Sequence, residues 1–362
     1  MKHYLKKGIS YTNRHIIQQI DYLFERGWSK PDQIEINPTR RCNARCLMCN
    51  NWKSKMNEAN EIPASQWVEI IEELHDWIGS FFLFITGGEV LIKRGINDII
   101  RRAVELDISL NLQTNGLALG SKKRFEELLN TGLRSINFSI DGIDRKTHDK
   151  FRGINGLHET VTHAIQRIKK LKPQMVVSLT CIIMRETIEQ LVDYAYWAEQ
   201  MQIDRVLFQP IHPNYPNTDL HWYKKNDFFI QDHELVNKVM DQLIALKQKK
   251  GIISNSVDNL QKIKRYFQNP NAVQIRHSKC MKGQTNLLID VRGNISLCGK
   301  FNTVIGNVND GSIKEAWKSP LANRVRKEIK QCNLPCMNLT YRTYSLSDKI
   351  ALFFKYARLG KL

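Results

Sequence analysis

The sequence predicts an α/β fold built on a parallel sheet, and three observations carry that prediction. Strand-like and helix-like segments alternate from residue 32 onward, the pattern of successive βαβ units. The 362 residues are enough for a sizeable core and for two or three domains. Hydrophobic residues make up 42% and charged residues 25%, a soluble globular profile that excludes disorder, collagen and coiled-coil rods.

Strands are expected at 32–37, 81–86, 108–113, 135–140, 176–183 and 204–210, with helices between them at 65–78, 96–106, 121–130, 157–171 and 187–201. Ser65 is the expected N-cap of the first of these helices. Ahead of them, Met1 to Trp28 is basic and reads as a helix with Ile16, Ile20, Leu23 and Phe24 on one stripe. It has no continuous apolar core and no small-residue cleavage site, so a signal peptide is not expected. No run of 18 apolar residues occurs either, so no transmembrane helix is expected and a cytoplasmic location follows.

Beyond residue 211 the rhythm breaks. His212-Pro-Asn-Tyr-Pro-Asn is a turn-rich exit, followed by helices at about 233–250 and 256–267. Their basic residues, Lys247, Lys249, Lys250, Lys262, Lys264 and Arg265, read as a solvated face, and the segment is also placed to cover the mouth of the sheet. Leu287 to Cys298 reads as a β-hairpin turning at Arg292-Gly293-Asn294, and a helix is expected at 312–329.

Lys and Arg total 54 against 36 Asp and Glu, a net charge of +18. That surplus favours acidic partners: a phosphorylated substrate, nucleic acid, an anionic membrane face or an acidic electron donor. Seven of the eight cysteines fall into two groups, which in a reducing compartment points to metal or catalysis. The first group, Cys42, Cys46 and Cys49, sets three thiolates within eight residues. A zinc site would need a fourth ligand from elsewhere. An iron–sulfur cube held by three thiolates keeps one iron open to a ligand.

The spacing Cys42-x3-Cys46-x2-Cys49 resembles the signature of the radical S-adenosylmethionine (SAM) superfamily, and the resemblance continues downstream. Thr86-Gly87-Gly88-Glu89 ends the second strand, where that family binds the amino group of the methionine moiety. Gly87 and Gly88 would let backbone approach the ligand, and Glu89 would face the ammonium. Gln113-Thr114-Asn115-Gly116 ends the third strand in the family's style. Ser139 and Asp141 end the fourth, where the family contacts the ribose, and Arg152 lies in the segment that contacts the methionine carboxylate. Each segment alone suits an ordinary turn. Met48 stands where the family more often has an aromatic residue.

The resemblance implies a partial (β/α)6 TIM-like barrel, open on one side, with its chemistry at the strand C-termini, where Glu89, Asn115, Asp141 and Gln209 fall. It implies S-adenosylmethionine and a [4Fe–4S] cluster as cofactors. The second group, Cys280, Cys298, Cys332 and Cys336, suits a closed zinc site or a fully ligated second cluster on spacing alone. After the first motif, Cys280-x12-Gly293-x4-Cys298 looks like the opening of a SPASM or twitch extension. That implies a small hairpin-plus-helix domain holding a second, auxiliary [4Fe–4S] cluster suited to passing an electron. The chain then divides into a basic amphipathic N-terminal helix (1–31), the core barrel (32–211), a helical insertion or linker (212–275), the auxiliary-cluster domain (276–340) and a basic amphipathic tail (341–362).

Cys181 is the lone thiol, a possible hydrogen-atom donor by composition. Strand alternation puts it with Val177, Leu179 and Ile183 toward the helices, and Ser178 and Thr180 toward the interior. The family resemblance implies reductive cleavage of S-adenosylmethionine to a 5′-deoxyadenosyl radical, which abstracts a substrate hydrogen. The expected substrate is a small sugar, polyol or aminocyclitol that is oxidised or dehydrated. The alternative is peptide or protein modification: crosslinking, epimerisation or formylglycine-type oxidation. An acidic donor such as flavodoxin or ferredoxin is the expected electron source, and no nucleic acid is expected. The tail mixes Ile350, Phe353 and Phe354 with Lys349, Lys355 and Arg358, a composition that suits peripheral membrane contact as well as docking on the barrel.

Overall fold

The computed structural model describes residues 2–213, 219–272, 280–301, 303–332, 336 and 337, with side chains from residue 13 onward. The tail at 341–362 and most of the turn-rich exit at 212–217 lie outside the described residues. The chain opens with Lys2–Phe24 (α1) and continues as Gln33–Ile36 (β1), Ala64–Ile78 (α2), Phe82–Ile85 (β2), Ile96–Glu105 (α3), Ser109–Thr114 (β3), Lys122–Leu129 (α4) and Ser135–Ser139 (β4). Arg145–Arg152 (α5), Leu157–Leu171 (α6), Val176–Ile183 (β5), Leu191–Gln200 (α7) and Arg205–Pro210 (β6) complete the alternating part. His233–Lys249 (α8), Val257–Gln268 (α9), Lys282–Thr285 (α10), Asn286–Ile289 (β7), Asn294–Ser296 (β8), Gly306–Asn307 (β9), Ile313–Lys318 (α11) and Pro320–Lys330 (α12) follow.

The described strands form one open sheet in the order β6-β5-β4-β3-β2-β1-β7-β8-β9. β1 to β6 pair in parallel, each with its successor, so the barrel is partial. The pleat sorts the side chains. Ile34, Ile36, Leu83, Ile85, Leu112, Ile136, Val177 and Leu179 are fully buried toward the helices. The helices answer with apolar residues at three- and four-residue spacing, such as Trp67, Ile70, Ile71, Leu74 and Ile78 of α2.

Three expectations change. The N-cap of α2 is Pro63, and Ser65 lies within the helix. The helix expected at 312–329 is two, because Ser319 caps a new helix whose first residue is Pro320. And α5 forms from Arg-Lys-Thr-His-Asp-Lys-Phe-Arg, a segment too polar to show a helical stripe. Asp144 caps it by accepting the Thr147 N–H, and Gly153 ends it in the left-handed conformation.

The C-terminal hairpin is not a separate layer. β7 lies parallel to β1, pairing Glu35 with Leu288, and β8 turns back antiparallel to it. Residues 252–255 of the 212–275 segment lie along the free edge of β6. Val206 N–H donates to Ile252 O, Ser254 N–H to Val206 O, and the Asn255 amide bonds both Phe208 N and Phe208 O. Its basic residues are not simply solvated: Lys250 pairs with Glu199, Lys262 with Asp258 and Lys264 with Asp241.

Candidate active site

The loop after β1 carries Cys42, Cys46 and Cys49 and is held by backbone bonds from two directions. From the end of β2, Gly88 N–H donates to Thr39 O and Glu89 N–H to Arg41 O, both at 2.8 Å. From the end of α5, Arg152 O accepts the Arg45 N–H at 3.0 Å and Phe151 O accepts the Leu47 N–H at 2.9 Å. The close approach at Gly87 and Gly88 is therefore to this loop. A Cβ on Gly87 would stand 2.4 Å from Thr39 O, and one on Gly88 2.1 Å from Arg41 O.

Beneath the loop lies a buried charge cluster. Glu61 accepts from Thr39 Oγ1, from Arg41 Nε and Nη2 at 3.1 and 3.2 Å, and from Lys93 Nζ at 3.1 Å. Lys93 is itself buried and also donates to Ile62 O at 2.9 Å. Burial acts to raise the Glu61 carboxyl, but the bonds from Arg41, Thr39 and Lys93 hold it below the ordinary carboxylate range.

Each sulfur of the loop has an N–H donor near it. Asn115 Nδ2 stands 4.0 Å from Cys42 Sγ, Arg152 Nη1 3.8 Å from Cys46 Sγ, and Asn51 N 3.4 Å from Cys49 Sγ. Burial pushes the Cys42 thiol up to about 11, and raises Cys46 as well. Thiolates here need positive charge to persist, which cluster irons supply. All three are free thiols. On donor chemistry and surroundings the loop fits a three-thiolate cluster.

Glu89 is 1% exposed and accepts three bonds: Leu91 N–H at 3.0 Å, Thr114 Oγ1 at 2.6 Å and Asn115 N–H at 2.7 Å. It ties the end of β2 to the end of β3. Burial raises its carboxyl against those bonds. Asp141 is fully buried, pairs with Arg152 Nη2 at 2.7 Å and accepts the Ile182 N–H at 2.9 Å. Arg152 Nε is buried and makes no hydrogen bond among the described residues. Ser139 opens to the inner face, 3.5 Å from Gln113 Nε2. His148 Nδ1 accepts the Asp141 N–H at 3.0 Å.

The inner face of the sheet is polar along β3 to β5, while Phe82, Phe84, Leu207 and Leu288 give it an apolar part beside Glu35 and Thr180. Asn111 donates to Ser135, and Asn137 Nδ2 to Thr180 Oγ1 at 2.9 Å. Glu35 also faces inward and accepts from Asn37 Nδ2 at 3.1 Å. Burial raises the Glu35 carboxyl, against the Asn37 bond and the charge of Lys282. Cys181 is fully buried in the apolar core on the opposite face.

The second cysteine group sits at the other end of the strands. Cys280 precedes β7, and Cys298 follows β8, which runs antiparallel to it. Burial pushes the Cys280 thiol up to about 11. Burial would lower Lys282, but the charges of Cys298, Cys336, Cys280 and Glu35 raise it instead. Lys300 is lowered by burial and by Lys282, with Cys336, Cys298 and Cys332 acting against the shift. Lys282 thus lies within charge range of Cys280, Cys298 and Cys336, and Lys300 of Cys298, Cys332 and Cys336, positive charge that suits the thiolates of an anionic cluster. The inner face, with Glu35, lies between the two groups.

Two family models match the chain: the Radical SAM superfamily over residues 36–198 and an iron–sulfur cluster-binding domain, SPASM, over residues 280–338. The chain belongs to the radical SAM superfamily. The cofactors of this radical SAM enzyme are S-adenosylmethionine, its [4Fe–4S] cluster and auxiliary iron–sulfur clustering in the SPASM domain. It is 28% identical to the GTP 3′,8-cyclase of Thermodesulfovibrio yellowstonii over 231 residues, 61% of this chain and 68% of the relative. It is 22% identical to the AdoMet-dependent heme synthase of Methanosarcina barkeri over 326 residues, 86% of this chain and 89% of the relative. Streptococcus suis SuiB bound to S-adenosylmethionine superposes with a TM-score of 0.65 at 17% identity, covering 82% of this chain and 68% of SuiB, a likeness of fold.

Sequence reasoning about this radical SAM enzyme missed Glu61, Lys93, Arg41, His148 and Glu35. Glu61 and Lys93 carry no motif, and only the fold brings them together. Glu35 had a readable signal: a carboxylate alternating with Ile34 and Ile36 on a predicted inner strand must face the interior.

Proposed function

We propose that this radical SAM enzyme oxidises or dehydrates a small polar molecule of the sugar, polyol or aminocyclitol type. The observation behind this reading is the polar part of the inner face between the cysteine groups, where Glu35, Asn111, Gln113, Asn137, Ser139 and Thr180 offer hydrogen bonds to hydroxyl and amino groups beside the apolar Phe82, Phe84 and Leu288. Cys42, Cys46 and Cys49 would hold the first cluster, and Cys280, Cys298, Cys332 and Cys336 the second. When bound, these groups and S-adenosylmethionine supply a 5′-deoxyadenosyl radical for hydrogen abstraction and an acceptor for one electron.

The chain's own residues orient and exclude. Arg152, clamped by Asp141, offers its unused Nε–H to the methionine carboxylate. Glu89 sets a negative charge near the methionine ammonium while bracing the loop. With Asp141 engaged by Arg152 and Ile182, the ribose contact falls to Ser139 and Asn115. Glu35 takes a hydroxyl or ammonium group of the substrate. Eight free thiols suit the reducing cytoplasm, and the basic surface suits an acidic donor such as flavodoxin or ferredoxin.

Peptide modification is the second reading. It is supported by 22% identity to the PqqA peptide cyclase of Bradyrhizobium diazoefficiens over 176 residues, 49% of this chain and 45% of the relative. Substrate-stimulated 5′-deoxyadenosine formation separates the two. Deuterium should move from labelled polyols or aminocyclitols into the nucleoside. Stimulation by peptides alone would replace the first reading with the second.

A further inference from the structure

Helix α1 is docked with its polarity reversed. At 100° per residue, Arg14, Gln18 and Asp21 share one face, and Ile16, Ile20, Leu23 and Phe24 the other. The buried face is the polar one: Arg14 is 8% exposed, and Gln18 and Asp21 are 0% exposed. Arg14 donates to Ile78 O at 3.0 Å and Ser80 O at 2.5 Å, and Gln18 Nε2 to Lys30 O at 3.1 Å. The Asp21 carboxylate accepts from Arg26 N at 3.0 Å and from Ser29 Oγ at 2.6 Å. Outward stand Ile16, Ile17, Ile20, Leu23 and Phe24, continued by Trp28, all between 43% and 64% exposed. The Phe24 and Trp28 rings lie 5.6 Å apart. A surface helix ordinarily buries its apolar stripe, and a contiguous exposed patch of this kind marks a contact surface.

Charge selects the occupant. The first turns of α1 carry Lys2, Lys6 and Lys7, and the chain as a whole is +18. The basic tail, with Lys349, Lys355, Arg358 and Lys361, is like-charged, and so is a second copy of the chain. An anionic lipid surface complements the helix, and indole and phenyl rings beside aliphatic side chains are the composition that settles into the headgroup region. We propose that α1 seats this enzyme on an anionic membrane surface through Ile16, Ile17, Ile20, Leu23, Phe24 and Trp28. α1 bonds the turn that precedes β2, at the end of the sheet opposite the first cysteine loop. Substitutions on its outer face therefore leave S-adenosylmethionine cleavage intact.

The test is co-sedimentation of the full-length, cluster-loaded protein with vesicles of equal parts phosphatidylglycerol and phosphatidylcholine. Wild type should partition to them and be about tenfold weaker on phosphatidylcholine alone. Leu23→Gln/Phe24→Gln should weaken partitioning by about tenfold with 5′-deoxyadenosine formation unchanged. Absence of wild-type binding, or equal binding by the variant, overturns the proposal. A wild-type dimer in light scattering that the variant converts to monomer assigns the face to self-association and also overturns it. Ile16→Gln/Ile20→Gln repeats the measurement on the preceding turn, so loss of fold in one variant leaves the other to decide.

Discussion

Gly88→Ala tests how the first cysteine loop is held. The new Cβ would sit 2.1 Å from Arg41 O and 2.7 Å from Arg40 O, where real Cβ atoms essentially never come within 3.0 Å. The nearest atoms are all Arg40–Arg41 backbone, so no flexible side chain can give way. The loop must retreat by about 0.9 Å, stretching the bonds at Thr39 O and Arg41 O beyond hydrogen-bond range. Two lost bonds cost about 2 kcal/mol, and their stranded buried groups about as much again. Roughly 4 kcal/mol is close to a thousandfold in the population of the loop that holds the cysteines. The assay is iron content after anaerobic reconstitution, with 5′-deoxyadenosine formation under dithionite. Wild type should hold about eight irons and Gly88→Ala about four, because the second cysteine group lies at the other end of the strands. Gly251→Ala is the control, since nothing lies within 4 Å of its added Cβ. Full iron and undiminished nucleoside from Gly88→Ala would refute the reasoning.

Three further outcomes are expected. Burial, with Arg152 and His158 nearby, holds the His148 imidazole down to about 2. Its pKa is depressed on folding, so its contribution to stability is present above the unfolded value of about 6.5 and is lost as pH falls below it. Between pH 7 and pH 5 the loss is about 2 kcal/mol. His148→Asn keeps an acceptor for the Asp141 N–H without titrating, so urea unfolding should show a pH dependence flatter by that amount; an unchanged slope means the ring does not stay neutral. Glu61→Gln leaves the buried Lys93 ammonium without its carboxylate and should destabilise by about 3 kcal/mol in the same assay. Glu35→Gln should keep full iron and substrate-free nucleoside formation but lower the substrate-stimulated rate by about tenfold; a normal stimulated rate would remove Glu35 from the substrate surface.

Much of the alternating fold was legible because burial on a strand or helix repeats with a fixed period. Ile34 and Ile36, or Trp67, Ile70 and Leu74, announce their faces without any knowledge of partners. α5 was not legible, since its helix is set by the Asp144 cap and by backbone bonds to the cysteine loop rather than by an apolar stripe. Pro320 was a stop-and-restart signal in plain view.

The sequence by itself determined the superfamily and the cofactors that go with it, because the motifs that carry the resemblance are local: Cys42 to Cys49 and Gly87 to Glu89 each sit within a few residues. It also determined that α1 has an apolar stripe through Ile16, Ile20, Leu23 and Phe24. Only the tertiary structure decided which way that stripe faces, through the bonds of Arg14, Gln18 and Asp21 to partners up to 66 residues away. Only it joined β7 to β1, brought Lys93 under Glu61, and set Glu35 between the cysteine groups. Those contacts close long loops, and no local pattern records which distant segment will occupy the other side.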